Sequence, residues 1–192
     1  MKHLKKFNES KYFPNIDSIC TYYEITNYSI NNDGTVDVNG TVDISGNWYN
    51  DYGKLTKLPV KFGRVTGSFY CDSNQLITLE GSPKEVGGDF SCKYNKLQNL
   101  LGGPNEVGGY YNCVNNKLTS LEGGPKEVVD ILYCIDNPIY QIYKLFKSYK
   151  KYQDSLDYNY LRGTNIVKSR FKEALEEIGE TLPDKIKGYN YI

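Results

Sequence analysis

Between residues 65 and 142 the apolar positions return in blocks with a step of 21 residues. Each block starts at a valine (Val65, Val86, Val107, Val128) and reaches an aromatic or leucine four positions on (Phe69, Phe90, Tyr111, Leu132). Two further on stands a cysteine: Cys71, Cys92, Cys113, Cys134. Aliphatics follow at Leu76, Leu97, Leu118 and Ile139, then at Leu79, Leu100, Leu121 and Ile142. The polar columns keep the same phase, with Asn74, Asn95, Asn116 and Asn137, then Gly81, Gly102, Gly123 and Pro83, Pro104, Pro125. Self-similarity at one fixed step marks a stacked repeat architecture. Alternation in Phe69-x-Cys71 places both side chains inward on a short strand. The two leucines fill the core as the chain curves away, and Gly and Pro turn it back. Successive strands then stack in parallel about 5 Å apart. No repeat buries its own apolar face, so its neighbours supply the stability. The asparagine amide is placed to bond the backbone of its own turn and of the next.

The unit F-x-C-x-x-N-x-L-x-x-L resembles the leucine-rich repeat, with cysteine in place of one core leucine. One column departs: three residues before the aromatic stand Thr66, Gly87, Gly108 and Val129 instead of leucine, and the preceding valine is expected to fill that gap. A 21-residue unit with a Gly-Pro return leaves no room for a long convex helix, so turns or short 3₁₀ pieces are expected there. An irregular first repeat precedes the four: Val42-x-Ile44-x-x-Asn47 mimics Phe69-x-Cys71-x-x-Asn74, and Leu55-x-x-Leu58-Pro59 mimics the later part. The 27-residue step from Ile44 to Cys71 puts an insertion around Trp48-Tyr49-Asn50-Asp51.

Terminal repeats need caps. Tyr22–Ile25 and Tyr28–Ile30 read as strand pieces, Asn32-Asp33-Gly34 as a turn and Thr35–Val38 as an alternating strand. Ile142, Leu145, Phe146 and Tyr149, continued by Leu156, have helical spacing. A second helix near Thr164 would carry Val167, Phe171, Ala174, Leu175 and Ile178 and end at Gly179. The expected fold is α+β: a short solenoid with a parallel sheet on its concave face, an N-terminal β cap and a C-terminal helical cap. Its expected parts are 1–19 (a leader or arm), 20–64 (β cap and irregular first repeat), 65–138 (21-residue repeats) and 139–192 (helical cap).

The unit Val86-Gly-Gly-Asp-Phe-Ser-Cys-Lys-Tyr-Asn-Lys-Leu-Gln-Asn-Leu-Leu-Gly-Gly-Pro-Asn-Glu106 resembles the leucine-rich-repeat proteins of large tailed bacteriophages. Ile30–Val38 and Leu58–Gly63 resemble their lead-in segment; Asp157–Thr164, Arg170–Leu175 and Gly188–Ile192 resemble their closing segment. Met1–Glu9 looks like short leaders on phage proteins. The resemblance covers about residues 28–192. It implies a phage origin and a solenoid fold, and it implies no activity.

Lys+Arg and Asp+Glu are both 23, so no whole-protein basic field draws nucleic acid. No apolar run is long enough to span a bilayer and no secretory signal opens the chain, which makes the host cytoplasm the expected location, with the virion as the alternative. The lone histidine, His3, leaves a Ser or Cys nucleophile without its usual base, so an enzyme is not expected. The four repeat cysteines are read as a core ladder and not a metal site, since zinc gathers ligands around one point. No metal and no cofactor is expected. Thr35-Val-Asp37-Val-Asn39-Gly40 opens like a calcium loop, but Gly46 stands where the closing Glu belongs, so Asn39-Gly40 reads as a turn. Residues 139–192 hold 8 Lys and 2 Arg against 7 Asp+Glu, a net of +3. Lys144, Lys147, Lys150 and Lys151 thus read as a solvated helix face, with nucleic-acid contact a further alternative. Glu80, Glu85, Glu106, Glu122 and Glu127 read as the return loops.

The informative surface is the concave one. Tyr70, Asp72, Ser91, Lys93, Tyr94, Tyr110, Asn112, Val114, Tyr133 and Ile135 form the expected binding face, because exposed tyrosines and aliphatics on one sheet face resemble an interface hot spot. Cys71, Cys92, Cys113 and Cys134 with Asn74, Asn95, Asn116 and Asn137 form the expected structural ladder. The expected function is a non-enzymatic protein–protein interaction module, directed at a host or phage protein and able to modulate a host pathway or defence system. A structural or packaged virion component is the alternative.

Overall fold

The structure is a computed structural model that describes residues 15–46, 54–158, 160–162 and 164–192. The expected leader to residue 14, Asn47 and the insertion at Trp48–Asp51 lie outside the described residues. Strand β1 (Tyr28–Ile30) is joined to β2 (Val36–Val38) by the Asn32-Asp33-Gly34 turn, where Asp33 Oδ1 accepts from the Thr35 N–H and Gly34 takes φ 79°. Nine two- to four-residue strands follow: β3 (Val42–Asp43), β4 (Phe62–Val65), β5 (Phe69–Tyr70), β6 (Glu85–Val86), β7 (Phe90–Ser91), β8 (Glu106–Val107), β9 (Tyr111–Asn112), β10 (Glu127–Val128) and β11 (Leu132–Tyr133).

These strands build two sheets, where the sequence suggested one. The first has the order β1-β2-β4-β6-β8-β10 and the second β11-β9-β7-β5-β3. Apart from β1–β2, every pair in both is parallel. In the second sheet Val42 pairs with Phe69, Phe69 with Phe90, Phe90 with Tyr111 and Tyr111 with Leu132. In the first, the valine column forms its own ladder, Val65–Val86–Val107–Val128. Glu85, Glu106 and Glu127 therefore sit in register on strands and not in return loops, which corrects the sequence reading. A two-residue strand is too short for alternation to mark it.

Between the sheets the chain turns a corner at Gly87-Gly88 and Gly108-Gly109. A Cβ on Gly108 would overlap the Gly87 carbonyl oxygen, so the close stacking itself requires glycine there. The returns from 71 to 84, 92 to 105 and 113 to 126 are turns without a helix, with Gly81, Gly102 and Gly123 at positive φ.

The core lies between the sheets and the returns. Phe69 stacks on Phe90 at 5.8 Å, and Phe90 meets Tyr111 at 4.8 Å. The repeat cysteines and Leu76, Leu79, Leu97, Leu100 and Leu118 are buried with them. Each such side chain contributes roughly 1.5–3 kcal/mol of burial.

The N-terminal end differs from expectation. Helix α1 (Ile16–Tyr22) occupies the segment where β structure was read from residue 20 onward. Its cause is local: Asn15 Oδ1 accepts from the Ser18 N–H at 2.9 Å and Ser18 reciprocates, a capping box that outweighs the strand preference of the tyrosines. Cys20 on this helix is fully buried in the core. Glu24 and Asn27, both at positive φ, then turn the chain into β1.

At the other end α2 (Tyr140–Phe146) and α3 (Tyr149–Ser155) replace one long helix. Lys147 at φ 61° ends α2, and Ser148 caps α3 through its Oγ and the Lys151 N–H. A 3₁₀ turn (Leu156–Tyr158) leads to β12 (Leu161–Arg162), β13 (Asn165–Ile166) and α4 (Lys168–Glu177). The last strand, β14 (Asn190–Tyr191), pairs in parallel with β13. This segment is thus mixed and not purely helical, and its second long helix starts at Lys168 instead of near Thr164. Phe146, Tyr160 and Phe171 form its aromatic centre, with Tyr160 and Phe171 4.8 Å apart.

Candidate binding face

The asparagine column fixes the edge of the second sheet. Asn95 Nδ2 donates to the carbonyls of Cys71 and Cys92, each at 3.0 Å, and its Oδ1 accepts from the Leu76 N–H at 3.0 Å. Asn116 repeats this on Cys92, Cys113 and Leu97, and Asn137 on Cys113, Cys134 and Leu118. Asn74 bonds Ile44, Cys71 and Leu55 in the same way. One buried amide therefore ties two repeats where the strand ends. The residue before each, Ser73, Tyr94, Asn115 or Asp136, is left-handed, with φ between 54° and 58°. That conformation suits Asn and Asp but is uncommon for a bulky residue such as Tyr94.

The outward side of the second sheet changes along the stack. Asp72 Oδ1 accepts from Ser91 Oγ at 2.6 Å and from the Lys93 N–H at 3.0 Å, and Lys93 Nζ lies 3.6 Å from Oδ2. Burial pushes the Asp72 carboxyl up from its usual 3.8, opposed by the Ser91 bond and the Lys93 charge. Asp89 Oδ1 accepts from the Tyr110 N–H at 3.1 Å, and Tyr70 Oη donates to its Oδ2 at 3.5 Å. Asp72 and Ser91 are buried, which corrects the reading of both as exposed contact residues. Their side chains serve the next strand, a use visible only once the register is known.

Toward β11 the same positions are apolar and open. Tyr110 and Tyr133 meet edge to face at 6.1 Å, and burial followed by the charges of Tyr70 and Asp89 pushes the Tyr110 hydroxyl up to about 12. Tyr133 (39% exposed), Ile135 (45%) and Ile131 (54%) stand at alternate positions on the outward side of β11, and Val129 (74%) lies at the corner before it. Asn112 and Val114 are half-buried between the two regions.

Other sequence candidates take plain structural roles. Asp37 Oδ1 accepts from the Arg64 N–H at 2.7 Å, and Asn39-Gly40 bends the chain from one sheet to the other. Lys147 pairs with Glu180, and Lys150 with Asp154 at 2.6 Å. Cys20 and the four repeat thiols are free and buried, and burial raises the pKa of each. Such thiols are poor nucleophiles. Among the described residues no helix is long and apolar enough to cross a membrane. Comparison with known proteins finds no matching family model, no matching curated protein and no matching solved structure.

Proposed function

We propose that the chain is a short leucine-rich-repeat solenoid of the phage type that acts as a non-enzymatic protein-docking module. The carrying observation is the open patch of Ile131, Tyr133 and Ile135, continued by Tyr110, on a face that elsewhere saturates its own polar groups. Aromatic and aliphatic anchors on a rigid sheet lose little side-chain entropy on binding, which is why such groups dominate hot spots. The left-handed backbone at Tyr94 supports the same reading, since a bulky side chain there costs on the order of 1–2 kcal/mol and is held in place by the asparagine ladder. The buried thiols argue against nucleophilic chemistry. The pairing of Lys147 and Lys150 with carboxylates weakens the nucleic-acid alternative.

The test is affinity capture from a bacterial lysate with the native chain and with a Tyr70→Ala/Tyr94→Ala/Tyr110→Ala/Tyr133→Ala variant, folding being checked by circular dichroism. A discrete protein held by the native chain and lost by the folded variant is expected. A folded variant that retains every partner overturns the assignment to this face, and capsid or tail proteins among those partners would favour the virion alternative.

A further inference from the structure

The outward side of the second sheet is acidic as well as apolar. Asp43 on β3, Asp72 after β5 and Asp89 before β7 stand on it against one cation, Lys93. Lys93 Nζ lies 3.6 Å from Asp72 Oδ2, so these two answer each other. Two more carboxylates close the row at β11. Asp130 directly precedes Ile131, Asp136 directly follows Ile135, and both are exposed. Among the described residues none of Asp43, Asp89, Asp130 and Asp136 has an ion pair. Four negative charges are thus left over on one face of a chain whose formal net charge is zero. The acidity is local, and it surrounds the exposed apolar side chains of Ile131, Tyr133 and Ile135.

Charge decides what can cover that face. A second copy laid face to face would bring the same four charges together, and like charges in juxtaposition disfavour a contact. Nucleic acid presents phosphates of the same sign. The lysines of a second copy's C-terminal segment are largely spent, since Lys147 is held by Glu180 and Lys150 by Asp154. A separate protein whose apolar side chains are flanked by cations meets every condition.

We infer that the outward face of β11 receives a segment of a partner protein with apolar side chains at its centre and lysine or arginine on both sides of them. This rests on the reading of the sheet face as a protein-docking surface and names the partner's chemistry. Ile131, Tyr133 and Ile135 span roughly 14 Å along the chain, and Asp130 and Asp136 lie up to roughly 20 Å apart. The cations of the partner therefore stand just outside an apolar centre of about that length. The apolar contact supplies the hold, and the carboxylates select the sign of the partner and speed its approach.

The probe is a library of random twelve-residue peptides selected on the full chain, with the strongest peptide then synthesised and titrated by calorimetry. The selected sequences are expected to carry apolar residues flanked by lysine or arginine. Asp130→Asn/Asp136→Asn should weaken the synthetic peptide about tenfold, and raising NaCl from about 50 to 300 mM should weaken it several-fold. Ile131→Ser/Ile135→Ser should abolish binding; both side chains are exposed, and Ile135→Ser alone serves if the double variant does not fold. No enrichment over a blank surface, selection of acidic or uncharged peptides, or full affinity in the aspartate variant overturns the proposal. Self-association of the chain that sedimentation detects and Ile135→Ser removes overturns it in favour of a second copy. The two readings fail separately. A lysate protein lost with the tyrosine variant but held equally by the aspartate variant keeps the docking face and removes its cationic partner. Cationic peptides that depend on both aspartates, with no lysate protein lost by the tyrosine variant, keep the charge selection and remove the four-tyrosine assignment.

Discussion

The inner repeats and the last one share a plan but use it differently. At the inner corners glycine lets the backbones close to 2.9 Å: Gly87 N to Val65 O, Gly108 N to Val86 O and Gly109 N to Gly88 O. In the last repeat Val129 and Asp130 stand in those places, and the bonds lengthen to 3.1 and 3.3 Å. Val86 and Val107 are buried, whereas Val128 is only half-buried. The inner face residues Asp72, Ser91 and Asp89 are consumed by the neighbouring strand, whereas the Ile135 side chain is open and Tyr133, though exposed, meets the Tyr110 ring. An inner repeat answers to a neighbour on each side. The last answers to one repeat and, on its other side, to the C-terminal cap, and its outward face carries side chains that packing does not require.

The sharpest way to break this comparison is to exchange the corner residues. Gly108→Val should cost about 3 kcal/mol, because the added Cβ meets a carbonyl that cannot move without opening the stack. Val129→Gly should cost only about 0.5–1 kcal/mol, mostly backbone entropy. Urea denaturation measures both, and equal losses would erase the distinction at the corners.

The asparagine ladder marks where the distinction should vanish. Asn95→Ala and Asn137→Ala each leave the same buried N–H and carbonyl groups without a partner, so each should cost about 2 kcal/mol. A much smaller loss at Asn137 would mean that the last repeat is loose in its ladder as well as at its corner.

The smallest effect is a pH dependence confined to the inner face. The Asp72 carboxyl is raised in the folded state, so its protonation favours folding. That contribution is complete below the unfolded value of about 3.8 and is lost as pH rises through the folded value. Denaturation midpoints from about pH 3 to 7 should lose this component in Asp72→Asn, whereas Ile135→Asn should leave the slope as it was.

What was legible followed from period. The stacking of Phe69, Phe90, Tyr111 and Leu132, and the bonding of the asparagines, could be read because one side chain does one job at each return. The valine sheet could not, since Glu85-Val86 offers two residues and no alternation. Helix α1 was hidden by tyrosines whose preference lost to a cap at Asn15 and Ser18. β12 to β14 were hidden by the same brevity as the valine strands. On the candidate face the tyrosines were visible, but the withdrawal of Asp72 and Ser91 was not. It depends on a partner 19 residues away in sequence and one strand away in space.

The line of cysteines has one more consequence. Cys71, Cys92 and Cys113 are fully covered, and each stands on a different turn of the same stack. Burial holds their thiols well above the ordinary range, so an alkylating reagent can reach each sulfur only while its own turn has come apart. The molecule thereby carries an internal clock for its own breathing, with one hand on every rung.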